Sequence, residues 1–113
     1  MITFFILYEN LEYVNKVVTK INAECSNAVC IGITNKVNKS SIVFCKNEQP
    51  NVIIGSIASL ETIKSSLNYE HISIPILAEN IEILKKISNQ LKILSQNCLY
   101  SHKMDLVNYK KEL

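Results

Sequence analysis

Residues 49–60 read QPNVIIGSIASL, and the fold is decided in this stretch. Residues 51–54 form a continuous apolar run, not an alternating one, which is the pattern of a central parallel strand covered on both faces. Gly55 and Ser56 close the strand, and Pro50 ends whatever helix precedes it. Ser59 is placed to cap a helix in which Leu60, Ile63 and Leu67 share one face while Glu61 and Lys64 point to water. A buried strand running straight into an amphipathic helix is half of a strand–helix–strand unit, so the same pairing is expected on either side.

Upstream, residues 3–8 are aromatic and branched without helical spacing and read as a first strand, bounded by Glu9 and Asn10. Asn10 is a good N-cap for a helix carrying Leu11, Val14, Val17, Val18 and Ile21 on one stripe. Residues 28–34 return to strand character around Gly32, and residues 35–38 break it. Residues 40–46 form a short helix of poor periodicity, with Val37, Ile42, Phe44 and Cys45 as its apolar positions. Downstream, residues 72–77 predict a fourth strand, with Pro75 tolerated at an end or bulge. Leu84, Ile87, Leu91 and Leu94 then keep a helical period from Ile81 until residues 95–97 end it. Residues 98–101 predict a fifth strand, and Asp105 opens a last helix through Leu106, Tyr109 and Leu113.

Strands alternating with helices five times predict an α/β, flavodoxin-like three-layer sandwich around a five-stranded parallel sheet of order 2-1-3-4-5. With 113 residues, 48% of them hydrophobic and 19% charged, the chain is expected to be one domain with a core that needs neither disulfide nor metal. Ligands of such sheets sit at the carboxyl ends of the strands, which here are residues 8–10, 55–59, 77–80 and 101–104.

The charge inventory narrows the chemistry. All twelve basic residues are lysine, nine of the ten acidic residues are glutamate, and Asp105 is the single aspartate. Without arginine and without a lysine stripe, direct nucleic-acid contact by this segment is disfavoured. A single aspartate removes most two-aspartate chemistries and grouped-carboxylate metal sites, so no metal and no cofactor is expected. The start of the chain lacks the basic lead-in and cleavage site of a secretory signal, and no apolar run approaches the roughly 20 residues of a bilayer span. A cytoplasmic, non-membrane protein is expected. Cys25 and Cys30 are spaced C-x4-C while Cys45 and Cys98 stand alone; none matches a zinc pair, and all four read as inert thiols. His71 and His102 read as surface or strand-end residues.

In element order the chain resembles the receiver domain of two-component response regulators. The segment FFILYENLEYV is similar to the family's first strand, acidic pair and first helix, and QPNVIIGS to the strand that ends in the phosphoacceptor aspartate. SIPILAEN is similar to the strand leading to a switch hydroxyl, and CLYSHKM to the fifth strand with its lysine. The resemblance places Tyr8 and Glu9 at the acidic pair, Ser56 at the phosphoacceptor, Asn80 near the switch residue and Lys103 at the retained lysine. Met104 stands where the family has proline, and no aspartate precedes Asp105. The resemblance therefore implies a pseudo-receiver without a phosphoacceptor. It also implies a non-enzymatic regulatory and dimerisation module, commonly followed in the family by a DNA-binding output domain, with DNA contacted only through that domain. Lys103 is expected to pair with Glu9 across the former pocket. Ile93, Tyr100 and Val107 are expected on an association surface for a homodimer or a partner signalling protein. A stand-alone adaptor or antagonist is the alternative. Catalysis at Ser56 or at a cysteine is disfavoured for want of a partnered histidine or a glycine-rich phosphate loop.

Overall fold

The computed structural model of the chain describes residues 2–33 and 36–100, with side chains through residue 96. Four strands alternate with four helices: β1 (Ile2–Leu7), α1 (Leu11–Glu24), β2 (Ala28–Ile33), α2 (Lys39–Glu48), β3 (Val52–Gly55), α3 (Ile57–Ser66), β4 (Ile72–Pro75) and α4 (Ile81–Tyr100). All strand pairs are parallel, in the order β2-β1-β3-β4. These are the first four places of the expected order.

The two central strands are apolar throughout because both of their faces are covered. Ile2, Phe4 and Ile6 of β1, with Val52 and Ile54 of β3, pack under α1 and α4 against Val14, Val17, Ile21, Ile87, Leu91 and Leu94. Phe5, Leu7 and Ile53 face the opposite way, under Cys45 of α2 and Leu60 and Ile63 of α3. Burial of each such side chain contributes about 1.5–3 kcal/mol, and this two-sided core is what holds the layers together. Asn51 fixes the register at the base. Its backbone N–H donates to Thr3 O at 3.0 Å, its Oδ1 accepts from Thr3 N at 2.9 Å, and its carbonyl accepts from Ile72 N at 3.0 Å.

Local signals set most boundaries. Asn10 caps α1 by accepting from Tyr13 N at 3.2 Å, as its side chain predicts. Asn38 and Ser41 form a reciprocal box at the start of α2, so that helix begins at Lys39, before residue 40. Gln49, in a left-handed conformation, ends α2 ahead of Pro50. α3 is capped by Ser56, not by Ser59: the Ser56 Oγ accepts from Ser59 N at 3.2 Å, and the helix starts one turn earlier than expected. His71 lies at a strand end as expected, directly before β4, yet it is buried.

The expected fifth strand is absent among the described residues. Residues 98–100 belong to α4, which runs without a stop through 95–97. The side of the sheet on which α4 lies gives the topological reason. α1 steps from β1 outward to β2 on one face, while α2 and α3 step the other way on the opposite face, so all three crossovers share one hand. A further step beyond β4 with that hand would need a helix beside α3, but α4 packs beside α1. Among the described residues β4 is accordingly an edge strand: Ile72 and Ile74 are buried against α4's face while Ser73 and Pro75 are exposed.

Both edges are blunted. Along β4 the residues whose backbone points outward are Ser73 and Pro75, and proline brings no N–H. Along β2 the outward groups at the centre belong to Cys30, and the Asn22 side chain of α1 takes both. Asn22 Oδ1 accepts from Cys30 N at 2.9 Å and Nδ2 donates to Cys30 O at 3.3 Å, so one amide stands in for a neighbouring strand. The final helix expected from Asp105 lies outside the described residues.

Candidate functional site

The carboxyl ends of β1, β3 and β4 meet in a cleft of about 230 Å³ lined by Tyr8, Glu9, Asn10, Ser56 and Glu79. Each side chain is brought there by the turn from a strand into the following helix. β1 delivers Tyr8, Glu9 and the α1 cap Asn10; β3 delivers Ser56, the α3 cap; the β4–α4 connection delivers Glu79. Gly55 is required at the end of β3 because a Cβ there would lie 2.5 Å from the Leu7 carbonyl oxygen. The close approach of β1 and β3 sets the width of the cleft floor.

Glu79 is the organising group. The Asn10 amide Nδ2 donates to its Oε1, closing the β1–α1 turn onto the β4–α4 connection across 69 residues of chain. The Tyr8 hydroxyl also bonds Glu79; burial first, then that bond and the nearby carboxylate charge, raise the Tyr8 hydroxyl above its ordinary range. Tyr13, buried behind them, donates to Ala78 O at 3.5 Å and is raised by burial and by Glu79. Both phenols therefore remain protonated donors at neutral pH, suited to orienting a carboxylate and unsuited to acting as bases.

The Ser56 hydroxyl accepts from Ser59 N and donates to Ser59 Oγ at 2.9 Å, so its proton and one lone pair are committed to starting α3. His71, the one histidine among the described residues, sits at the opposite, amino end of β4. The buried thiols offer no nucleophile either. Cys30 is pushed up to about 12 by burial and the neighbouring Cys25, and Cys45 to about 11 by burial, the reverse of an activated thiolate.

Of the residues singled out from sequence, Tyr8, Glu9 and Ser56 meet in the cleft. Asn80 does not line it: its side chain accepts from Ile83 N at 2.9 Å and caps α4. Sequence reasoning passed over the neighbouring Glu79, although both lie in the same strand-end segment. The missing signal was capping chemistry, since an asparagine directly before an apolar periodic run is a helix start, which leaves the preceding carboxylate to face the cleft. Ile93 is exposed on α4. Tyr100 belongs to α4, but its side chain lies outside the described ones, and Lys103 and Val107 lie outside the described residues altogether.

Fold and cleft together define a small parallel α/β domain with a tyrosine- and carboxylate-lined strand-end site. No protein-family model matches the chain, and neither a curated protein nor a solved structure matches it significantly. No described helix is long and apolar enough to cross a membrane.

Proposed function

We propose that this chain is a non-enzymatic regulatory module on a flavodoxin-like, receiver-like scaffold, one that does not accept phosphate and works by associating with a second copy or a partner protein. The observation that carries the reading is the state of the cleft. At the position that corresponds to the phosphoacceptor, Ser56 spends its hydroxyl on capping α3. Facing it, Glu79 is engaged by Asn10 and Tyr8 instead of being open to a cation. Phosphoryl transfer to a receiver needs a carboxylate nucleophile beside a cation held by further carboxylates, and the only aspartate of the chain is Asp105. Among the described residues the sheet has four strands where the receiver pattern has five, and on this reading the association surface is the outer side of α4, where Ile93 is exposed. Within a longer regulator, DNA would be contacted by an output domain and not by this segment.

The test is an amide-resolved NMR titration with Mg²⁺ and a phosphoryl-donor mimic. The expected result is an unchanged spectrum. Saturable shifts centred on Glu9 and Ser56 overturn the reading.

A further inference from the structure

Parallel sheets are normally covered on both faces, and one strand here departs from that rule on one side. Val29 and Ile31 of β2 pair with Thr3 and Phe5 of β1, so they share the face on which α2 and α3 lie. Those helices seat on Phe5, Leu7 and Ile53 and stop short of β2: Val29 is 38% exposed and Ile31 37%. Phe44 of α2 stacks on Phe5, the register partner of Ile31, with ring centroids 5.1 Å apart, yet it too is 38% exposed. The opposite side of β2 has no such gap, since Cys30 is buried there and a Cβ on Gly32 would collide with Val14 of α1. Val29, Ile31 and Phe44 thus form a bare apolar strip on an otherwise packed strand, and residues 25–34 carry no charge that would select a charged partner.

The position at which α4 leaves the sheet says what covers the strip. α4 passes over the end of α1: Ser88 bonds Glu24, Lys92 lies 3.5 Å from Glu24, and Ser95 bonds Cys25. Cys25 stands just ahead of β2, so α4 delivers the chain to the amino end of the strand whose face is bare. Residues 101–113 follow, and extended they reach up to about 40 Å, roughly twice the length of a strand such as β2. They carry Leu106, Tyr109 and Leu113 on one helical stripe behind Asp105. A segment tethered this close has an effective concentration of order millimolar at the strip, so it outcompetes a second copy present at micromolar concentration.

We propose that residues 105–113 lie across the open face of β2, with Leu106, Tyr109 and Leu113 on Val29, Ile31 and Phe44, completing the layer that α2 and α3 leave short. The inference stands apart from the reading of the chain as an association module, and it leaves the outer side of α4 free for that role.

The test is a nuclear Overhauser measurement on the full chain with labelled methyl groups and aromatic rings. Cross-peaks from the Val29 and Ile31 methyls to Leu106, Tyr109 or Leu113 are expected, at intensities unchanged by tenfold dilution. The paired variant Leu106→Ser and Tyr109→Ser should lose them and shift the amides of residues 28–33 and 44, while residues 8–10 at the cleft stay in place. Absence of these cross-peaks in the wild type overturns the proposal. So do cross-peaks seen only between differently labelled copies in a mixed sample, which would assign the strip to a second chain, and so does a variant whose β2 amides do not move. If the variant fails to fold, the wild-type cross-peaks decide alone.

Discussion

Ser56 shows how one side chain closes off a chemistry by doing structural work. Its hydroxyl satisfies an otherwise unpaired N–H in the first turn of α3, and a serine so used is poorly placed to attack anything. Ser56→Ala is therefore expected to lower stability by about 1 kcal/mol, whereas Ser56→Asp, which can cap equally well, should stay within a few tenths. Urea denaturation of the two variants checks this, and equal losses would show that the cap contributes nothing. Glu79 and Asn80 carry the complementary lesson. The sequence marked their segment, but only the geometry shows which residue turns to the cleft and which to the helix.

At the scale of the element, β2 is an apolar, uncharged edge strand of the kind that invites pairing with another chain. The Asn22 amide occupies the outward N–H and C=O of Cys30 and interrupts that template. Asn22→Ala should cost about 1–2 kcal/mol, since it leaves two strand groups without their partner, and should make the protein associate in a concentration-dependent way. Sedimentation velocity over a range of concentrations tests the second effect; a variant that stays as dispersed as the wild type would mean that the amide is not what guards the edge. The alternation of β4, with Ile72 and Ile74 inward and Ser73 and Pro75 outward, fits the edge place it takes among the described strands, whereas the five-stranded expectation had put it inside the sheet. A five-stranded sheet would have made β4 internal, and an internal strand covered on both faces has no reason to alternate.

Across the whole molecule, α4 completes the core by laying Ile87, Leu91 and Leu94 over the sheet beside α1. A polar tie joins the last residue of α1 to the middle of α4: Glu24 bonds Ser88, pairs with Lys20 at 2.9 Å and lies 3.5 Å from Lys92. The Ser88 hydrogen bond first, then Lys20 and Lys92, hold the Glu24 carboxyl down to about 2 from an ordinary 4.5. A carboxyl depressed in the folded state stabilises above its unfolded value and ceases to do so as pH falls through its folded one. The stability advantage of wild type over Glu24→Gln should accordingly be full above about pH 4.5 and disappear on acidification toward pH 2. Denaturation curves across that window test it, and an advantage that does not vary with pH would assign the effect to packing.

The sequence by itself determined the element types from β1 to the start of α4, the parallel alternation and the two-sided core strands. Apolar runs, helical periods and caps act within a few residues, so residues 51–54 announce a buried strand and Asn10 a helix start wherever the rest of the chain goes. What only the tertiary structure decided depends on groups distant in the chain. The face on which α4 packs, and with it the absence of a fifth strand among the described residues, follows from contacts between α4 and α1 that no local window contains. The closure of the cleft depends on Asn10 meeting Glu79 across 69 residues. Residues 98–100 are the sharpest instance. Their strand-like look is a short-range preference, and it yields to the backbone hydrogen bonding gained by continuing a helix already seated on the core.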